Sequence, residues 1–149
     1  MTCQTEPTVS LSLTVKDASS AIEFYTQAFG AKEVFRMPGP DGGVAHAEFM
    51  IGNTQIYISE ESKEWHAFAM AKGNTASCLF SIRTEDCGHA FELAVEAGAE
   101  PLSQPTYQFW GAQSAVIRDP YGYRWSLIQK VEDLTPDEIM QRAKKLFSA

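Results

Sequence analysis

One arrangement of strands and a helix occurs twice in this chain of 149 residues, and that repetition constrains the fold more than any other feature. In each half, apolar periodicity predicts the order strand, helix, strand, strand, strand. The sequence GAKE at residues 30–33 follows the first predicted helix, and GAEP at residues 98–101 follows the second. Each half would leave an apolar sheet face that needs its twin. We therefore predict an α+β fold in which two βαβββ modules form curved sheets around a cleft, where a ligand would bind.

The first module is predicted over residues 9–60. Alternating apolar side chains predict a strand at residues 9–15, and Asp17 can cap a helix that Gly30 ends. Residues 60–75 show no sustained period and are predicted to form a connecting loop, with or without one helical turn. The other three strands are predicted at residues 32–37, 44–51 and 54–59.

The second module is predicted over residues 76–130, and both modules belong to one predicted domain of residues 1–149. A strand at residues 77–82 and a helix at residues 86–97 begin this module. A short strand near Leu102 and a closing hairpin complete it.

The closing hairpin is predicted to turn at residues 119–122 (DPYG). Asp, Pro and Gly there occupy positions that a type I turn favours. Residues 113–117 and 123–128 form the two β-rich arms. Alternation along the second arm predicts two faces, with Trp125 and Leu127 on one and Arg124, Ser126 and Ile128 on the other.

A C-terminal helix is predicted at residues 134–148. Thr135, Pro136 and Glu138 match an N-cap, a proline at the first helical position and the glutamate of a capping box. The apolar stripe that follows favours a helix that docks on its own domain or on a subunit partner.

Charge and cysteine content restrict the partners and the compartment. The net charge is −7 and the sequence pI is about 4.9, which argues against nucleic acid because phosphate binding needs clustered Lys and Arg. The odd set of Cys3, Cys78 and Cys87 favours a reducing cytoplasm, and Cys78 is predicted to lie in the core. No apolar run approaches the roughly 20 residues of a membrane span.

Several separated motifs resemble one known superfamily. They are FYTQAFGA in the first helix, VEAGAE in the second, and DPYG in the hairpin. Together with the duplication they resemble the vicinal-oxygen-chelate superfamily of glyoxalase I, extradiol dioxygenases, fosfomycin-resistance transferases and bleomycin-resistance proteins. The stretches FRMPGPDGGVAHAEFMIGN, QFWG and DPYGYRWSL are most similar to its PhnB-like, glyoxalase-like subgroup.

The resemblance also implies where a metal would be bound. Metal-containing members hold a divalent ion with one ligand from each of four strands, and the matching positions here are Ser10, Tyr57, Ser77 and Ser126. Metal-containing members would carry His, Glu or Gln at those positions. Neutral hydroxyl groups are poor ligands compared with carboxylates or imidazoles. We therefore expect no metal and no other cofactor.

Two groups of side chains are candidates for ligand contact. His46 and Glu48 lie two residues apart on one predicted strand, so they share a face and could act as an acid/base pair or form an ordinary polar surface. Phe109 and Trp110 could stack on a flat ligand or cover a core edge. Tyr57, Ser77 and Ser126 could line the emptied metal pocket, or the serines could be simple sheet-face residues.

The resemblance and the missing ligands favour a metal-independent small-molecule binding protein, similar to the bleomycin-resistance type. Its ligand would lie in an aromatic-lined cleft, and homodimerisation would complete the fold as in the superfamily. One alternative is a glyoxalase-like lyase or isomerase that uses Glu48 as its base, with or without a metal at an unusual place. Another is an interaction domain whose C-terminal helix contacts a partner.

Overall fold

The computed structural model describes residues 6–148, so Cys3 lies outside the described residues. The chain divides into two compact units, unit 1 (Met1–Ala71) and unit 2 (Lys72–Ala149). None of the helices among residues 6–148 combines the length and the apolar character needed to cross a membrane. The elements are, in order, β1 (Leu11–Val15), α1 (Ala18–Phe29), β2 (Lys32–Pro38), β3 (Val44–Ile51), β4 (Thr54–Glu60), β5 (Leu79–Arg83), α2 (Cys87–Glu96), β6 (Glu100–Gln108), β7 (Ala112–Arg118), β8 (Arg124–Lys130) and α3 (Pro136–Phe147).

Unit 1 is a four-stranded mixed sheet in the order β1-β4-β3-β2, with α1 packed on one face. The cap predictions for α1 are confirmed: the Asp17 side chain accepts the Ser20 N–H, and Gly30 adopts φ 68° and donates to the Thr26 carbonyl. The face covered by the helix is apolar. Its buried strand residues are Leu13, Val15, Ala47, Phe49, Ile56 and Ile58.

Unit 2 repeats this connectivity as a four-stranded mixed sheet in the order β5-β8-β7-β6, with α2 packed against β6, β7 and β8. The predicted α+β fold of two βαβββ modules is confirmed in these two sheets and their helices. Cys87, Phe91 and Ala94 of α2 are buried, as are Ala115 and Leu127 of the sheet.

The predicted strand near Leu102 is present but is not short, because β6 runs for nine residues. Pro101 and Pro105 mask this strand in the sequence, since proline cannot donate a ladder hydrogen bond. Strand β6 tolerates them because it lies at the sheet edge and pairs only with β7, with register shifts between Pro101, Ser103 and Thr106.

One other prediction needs correction. Strand β5 begins at Leu79, so Ser77 and Cys78 precede it, and Cys78 is exposed instead of lying in the core. The predicted connecting loop after β4 is present, and it contains one turn, in which the His66 N–H donates to the Lys63 carbonyl between the bridged residues Ser62 and Ala67. The buried cysteine is Cys87, where desolvation raises the pKa of the thiol.

The closing hairpin is confirmed, and a buried carboxylate organises its turn. Asp119 Oδ1 accepts the N–H groups of Tyr121 and Tyr123, and Oδ2 accepts Trp125 Nε1–H at 2.8 Å. Trp125 and Leu127 are buried on the helix-covered face, as the alternation predicts. Ser126, the residue between them, therefore lies on the other face of the sheet.

Candidate functional site

The face of the unit 1 sheet opposite α1, called here the open face of unit 1, brings together three of the predicted site residues. His46 and Glu48 lie two residues apart on β3 and therefore on the same face, and Glu48 is paired with Tyr57 on β4. On the other side of β3, Phe35 is paired with Glu48 and Met37 with His46. Paired residues share a face, so these five side chains form one surface.

Glu48 is held in place by two nitrogen groups. Its Oε1 lies 3.1 Å from His46 Nε2, and its Oε2 accepts a hydrogen bond from Gln55 Nε2 at 2.6 Å. When His46 donates through Nε2, its Nδ1 remains an acceptor. The His46 ring centroid lies 5.5 Å from that of Tyr57 and 6.2 Å from that of Phe35. The result is a row of three rings beside a fixed carboxylate.

The corresponding surface of unit 2, called here the open face of unit 2, carries hydroxyl groups and cations. Ser126 of β8 is 7% exposed and pairs with Ser81 of β5. Arg124, two residues earlier on the same strand, has a buried Nε without a hydrogen-bond partner among residues 6–148. Ser77 lies ahead of β5 and is exposed, so Ser126 is the predicted serine that the sheet places on this face.

A cavity of about 640 Å³ lies at one end of the open face of unit 2. Trp110 lines it, as the sequence suggested for this loop, whereas Phe109 packs edge-on against Trp110 and against Phe147 of α3. Sequence reasoning missed the remaining wall. The alternation of Ser81 and Arg83 on β5 was the available signal, because it places both on the same face as Ser126.

The chain after β8 forms the outer wall of this cavity. The Gly111 carbonyl accepts the N–H groups of Val131 and Glu132, both at 2.9 Å. Glu132 in turn accepts hydrogen bonds from the Tyr107 hydroxyl and from Arg142 Nη2 of α3. These two donors lower the pKa of Glu132 below its ordinary value, the Tyr107 hydroxyl first.

The donor groups at the four positions implied for a metal do not fit a divalent ion. Ser10 lies before β1 and Ser77 before β5, while Tyr57 and Ser126 lie within strands. All four offer neutral hydroxyl oxygens, which lack the negative charge or the imidazole nitrogen that such ions require. Within residues 6–148, no three side chains of His, Cys, Asp or Glu are grouped so that they could hold a metal ion.

Comparison with known proteins agrees with the fold and identifies the family. Residues 8–127 match the family model described as the glyoxalase/bleomycin resistance protein/dioxygenase superfamily. The chain belongs to this superfamily. The assignment agrees with the resemblance of the DPYG hairpin and the duplicated modules to the vicinal-oxygen-chelate proteins.

Relatives within the superfamily carry different printed names. The chain is 34% identical over 145 residues to an uncharacterized protein of Mycobacterium bovis, covering 93% of each. It is 27% identical over 129 residues to a putative lactoylglutathione lyase of Brassica oleracea, covering 85% of this chain and 45% of the lyase. A solved structure of the fosfomycin resistance protein FosX from Listeria monocytogenes, complexed with Mn(II), has a TM-score of 0.64 at 18% identity and covers 93% of this chain and 98% of FosX.

Proposed function

We propose that this superfamily member is a metal-independent small-molecule binding protein that holds an aromatic ligand against an open face of one of its sheets. One observation carries the proposal: hydroxyl groups stand at all four positions implied for metal ligands, while ring side chains lie on the open face of unit 1 and beside the open face of unit 2. The ligand-contacting residues would be His46, Glu48 and Tyr57 of unit 1 and Ser77, Phe109, Trp110 and Ser126 of unit 2.

The row of rings on unit 1 supports an aromatic ligand. His46, Tyr57 and the half-exposed Phe35 stand at centroid separations of 5.5–6.2 Å, and an added ring can extend the row in tilted or offset contacts. Each such contact contributes about 0.5–1.5 kcal/mol beyond area burial. Glu48 adds a fixed acceptor for a donor group on the ligand, because His46 and Gln55 already orient its carboxylate.

The proposal extends to the assembly, the compartment and the subgroup. A cytoplasmic homodimer is the expected form, on the cysteine content and on the quaternary structure that the resemblance implies. The PhnB-like subgroup remains the proposed position within the superfamily, on the motifs FRMPGPDGGVAHAEFMIGN and QFWG.

A thermal-shift panel of aromatic antibiotics and aromatic metabolites tests the binding proposal. We expect at least one compound to raise Tm, and Tyr57→Ala to reduce that shift because it removes one ring from the row. Phe68→Ala is the matched control, since Phe68 is an exposed aromatic residue in the loop after β4. Turnover of a substrate, together with no stabilisation by any compound, would refute the proposal.

The 3.1 Å contact between His46 and Glu48 favours a second candidate, a glyoxalase-like lyase or isomerase in which Glu48 is the base. A carboxylate held by two nitrogen groups keeps a fixed position, which proton abstraction requires. In that case Glu48→Gln would abolish turnover of the substrate while the variant still binds it. If Glu48→Gln and the wild-type protein bind the ligand equally and neither turns it over, this candidate is excluded.

A further inference from the structure

The cavity on unit 2 has the size and the lining of a small-molecule site. Its volume of about 640 Å³ falls within the range of roughly 300–1,000 Å³ that such sites occupy. Trp110, Ile128, Leu134 and Ile139 supply apolar walls, so a ligand would bury an apolar part there.

Four charged side chains line the cavity, and three of them are already neutralised. Lys130 Nζ lies 2.8 Å from Asp133 Oδ1. Glu132 is paired with Arg142 at 2.8 Å. Arg83 is the fourth, and it forms no ion pair and no side-chain hydrogen bond within residues 6–148. The cavity therefore presents one uncompensated positive charge beside apolar walls.

From this arrangement we infer that the cavity binds a small organic carboxylate with a flat apolar part, and that Arg83 anchors its carboxylate group. The inference rests on the proposed small-molecule binding and names the ligand class for unit 2. A single negative charge balances Arg83, whereas a phosphate dianion would leave an excess and an ammonium group would be repelled. The planar guanidinium matches a carboxylate with two parallel N–H···O bonds.

Neighbouring groups complete the fit. Ser81 lies two residues before Arg83 on the same face, and its hydroxyl makes no hydrogen bond to another of residues 6–148, so it can donate to the same carboxylate. Trp110 is 40% exposed and forms part of the apolar wall against which the flat part of the ligand would lie. The carboxylate would thus meet Arg83 and Ser81 while the ring lies against Trp110.

Calorimetric titration with 2-naphthoate and 2-naphthamide tests this assignment, because the two probes share a ring and differ in charge. We expect 2-naphthoate to bind the wild-type chain about tenfold more tightly, the effect of one charge-assisted hydrogen bond. Arg83→Gln should remove that advantage and leave the affinity for 2-naphthamide within about twofold. Trp110→Ala should weaken both probes.

Arg36→Gln is the matched control. This substitution also removes one positive charge from a strand. Arg36 lies in unit 1, however, where it pairs with Glu33. It should leave both affinities unchanged. The Tm of each variant establishes that it is folded.

The outcomes separate this inference from the proposed function. If Arg83→Gln retains the preference for 2-naphthoate, or if the wild-type chain has no such preference, the assignment is overturned. If the chain binds neither probe but the thermal-shift panel yields another aromatic ligand, this inference fails and the proposed function stands. If neither probe binds, no panel compound stabilises the protein and the protein turns over a substrate, both fail.

Discussion

On the open face of unit 1, a carboxylate is held between an imidazole and an amide beside a row of rings. On the open face of unit 2, by contrast, an arginine that has no acidic partner among residues 6–148 borders a cavity next to an indole. Both faces are built on the same strand connectivity. The helix-covered faces stay apolar in both units, since they bury the cores. Because side chains alternate along a strand, the open faces can diverge without any change to those cores.

A second difference concerns what surrounds each open face. In unit 2 the chain continues past β8 into residues 131–134 and α3. This segment is hydrogen-bonded to the Gly111 carbonyl and lines one side of the cavity. In unit 1 the chain after β4 forms a loop closed by the Ser62–Ala67 bridge. The duplicated fold therefore provides the two platforms, and the C-terminal addition provides a wall for one of them.

The largest expected effect is a difference in the free energy of unfolding between substitutions in the turns of the two equivalent hairpins. Asp119→Ala in unit 2 leaves three donors without their acceptor near a buried turn, so we expect a loss of about 3 kcal/mol in the free energy of unfolding. Asn53→Ala in the short β3–β4 turn of unit 1 should change it by less than about 0.5 kcal/mol. Denaturant unfolding measures both, and equal losses would contradict this role for Asp119.

A smaller effect is expected at Gly111, where the cavity wall approaches the turn. Gly111 and Gly42 both have positive φ, 84° and 79°. Alanine at Gly42 would meet no atom within 4 Å, so it reports backbone strain alone, about 1–2 kcal/mol. Alanine at Gly111 would also meet Leu134 Cδ1 at 3.0 Å and Glu132 Cβ at 3.1 Å.

We therefore expect Gly111→Ala to cost about 1 kcal/mol more than Gly42→Ala, because residues 132–134 must shift. The same shift should weaken binding of 2-naphthoate in the cavity. Denaturant unfolding and calorimetry provide the two measurements. Similar stability losses in both variants, with unchanged binding, would mean that the wall does not depend on this close approach.

The smallest effect is a pH dependence confined to unit 2. Tyr107 and Arg142 lower the pKa of Glu132 in the folded protein. The contribution of Glu132 to stability is therefore complete above the ordinary glutamate pKa of about 4.3, and it is lost as the pH falls through the lower folded pKa. We expect the hydrogen-exchange protection of α3 to fall below about pH 4.3. Glu132→Gln should lower protection at neutral pH and reduce this dependence. An unchanged acid response in Glu132→Gln would assign it to another group.

Much of the fold could be predicted because its signals are local. Asp17, Gly30 and the capping box at Thr135 act through contacts within a few residues, and the DPYG turn does so as well. The length of β6 could not be predicted because its prolines break the local pattern, while its pairing with β7 comes from residues farther along the chain. The sequence pattern extends β5 by two residues too many at its start, and for that reason it wrongly predicts that Cys78 lies in the core.

The site was only partly predictable, for a related reason. The pairing of His46 with Glu48 follows from a spacing of two residues, and the structure brings Tyr57 beside them. Arg83 and Ile139 lie far apart in the sequence, yet both line one cavity together with residues 132–134. No local sequence pattern predicts that these distant segments line the same cavity.

The metal content of the purified protein, measured alongside ligand binding before and after chelation with EDTA, tests metal independence most directly. The hydroxyl groups at Ser10, Tyr57, Ser77 and Ser126 predict that zinc, nickel and manganese are substoichiometric. Affinity for an aromatic ligand should be the same with and without chelation. A stoichiometric metal that is lost in Glu48→Gln, together with loss of binding after EDTA treatment, would contradict the account.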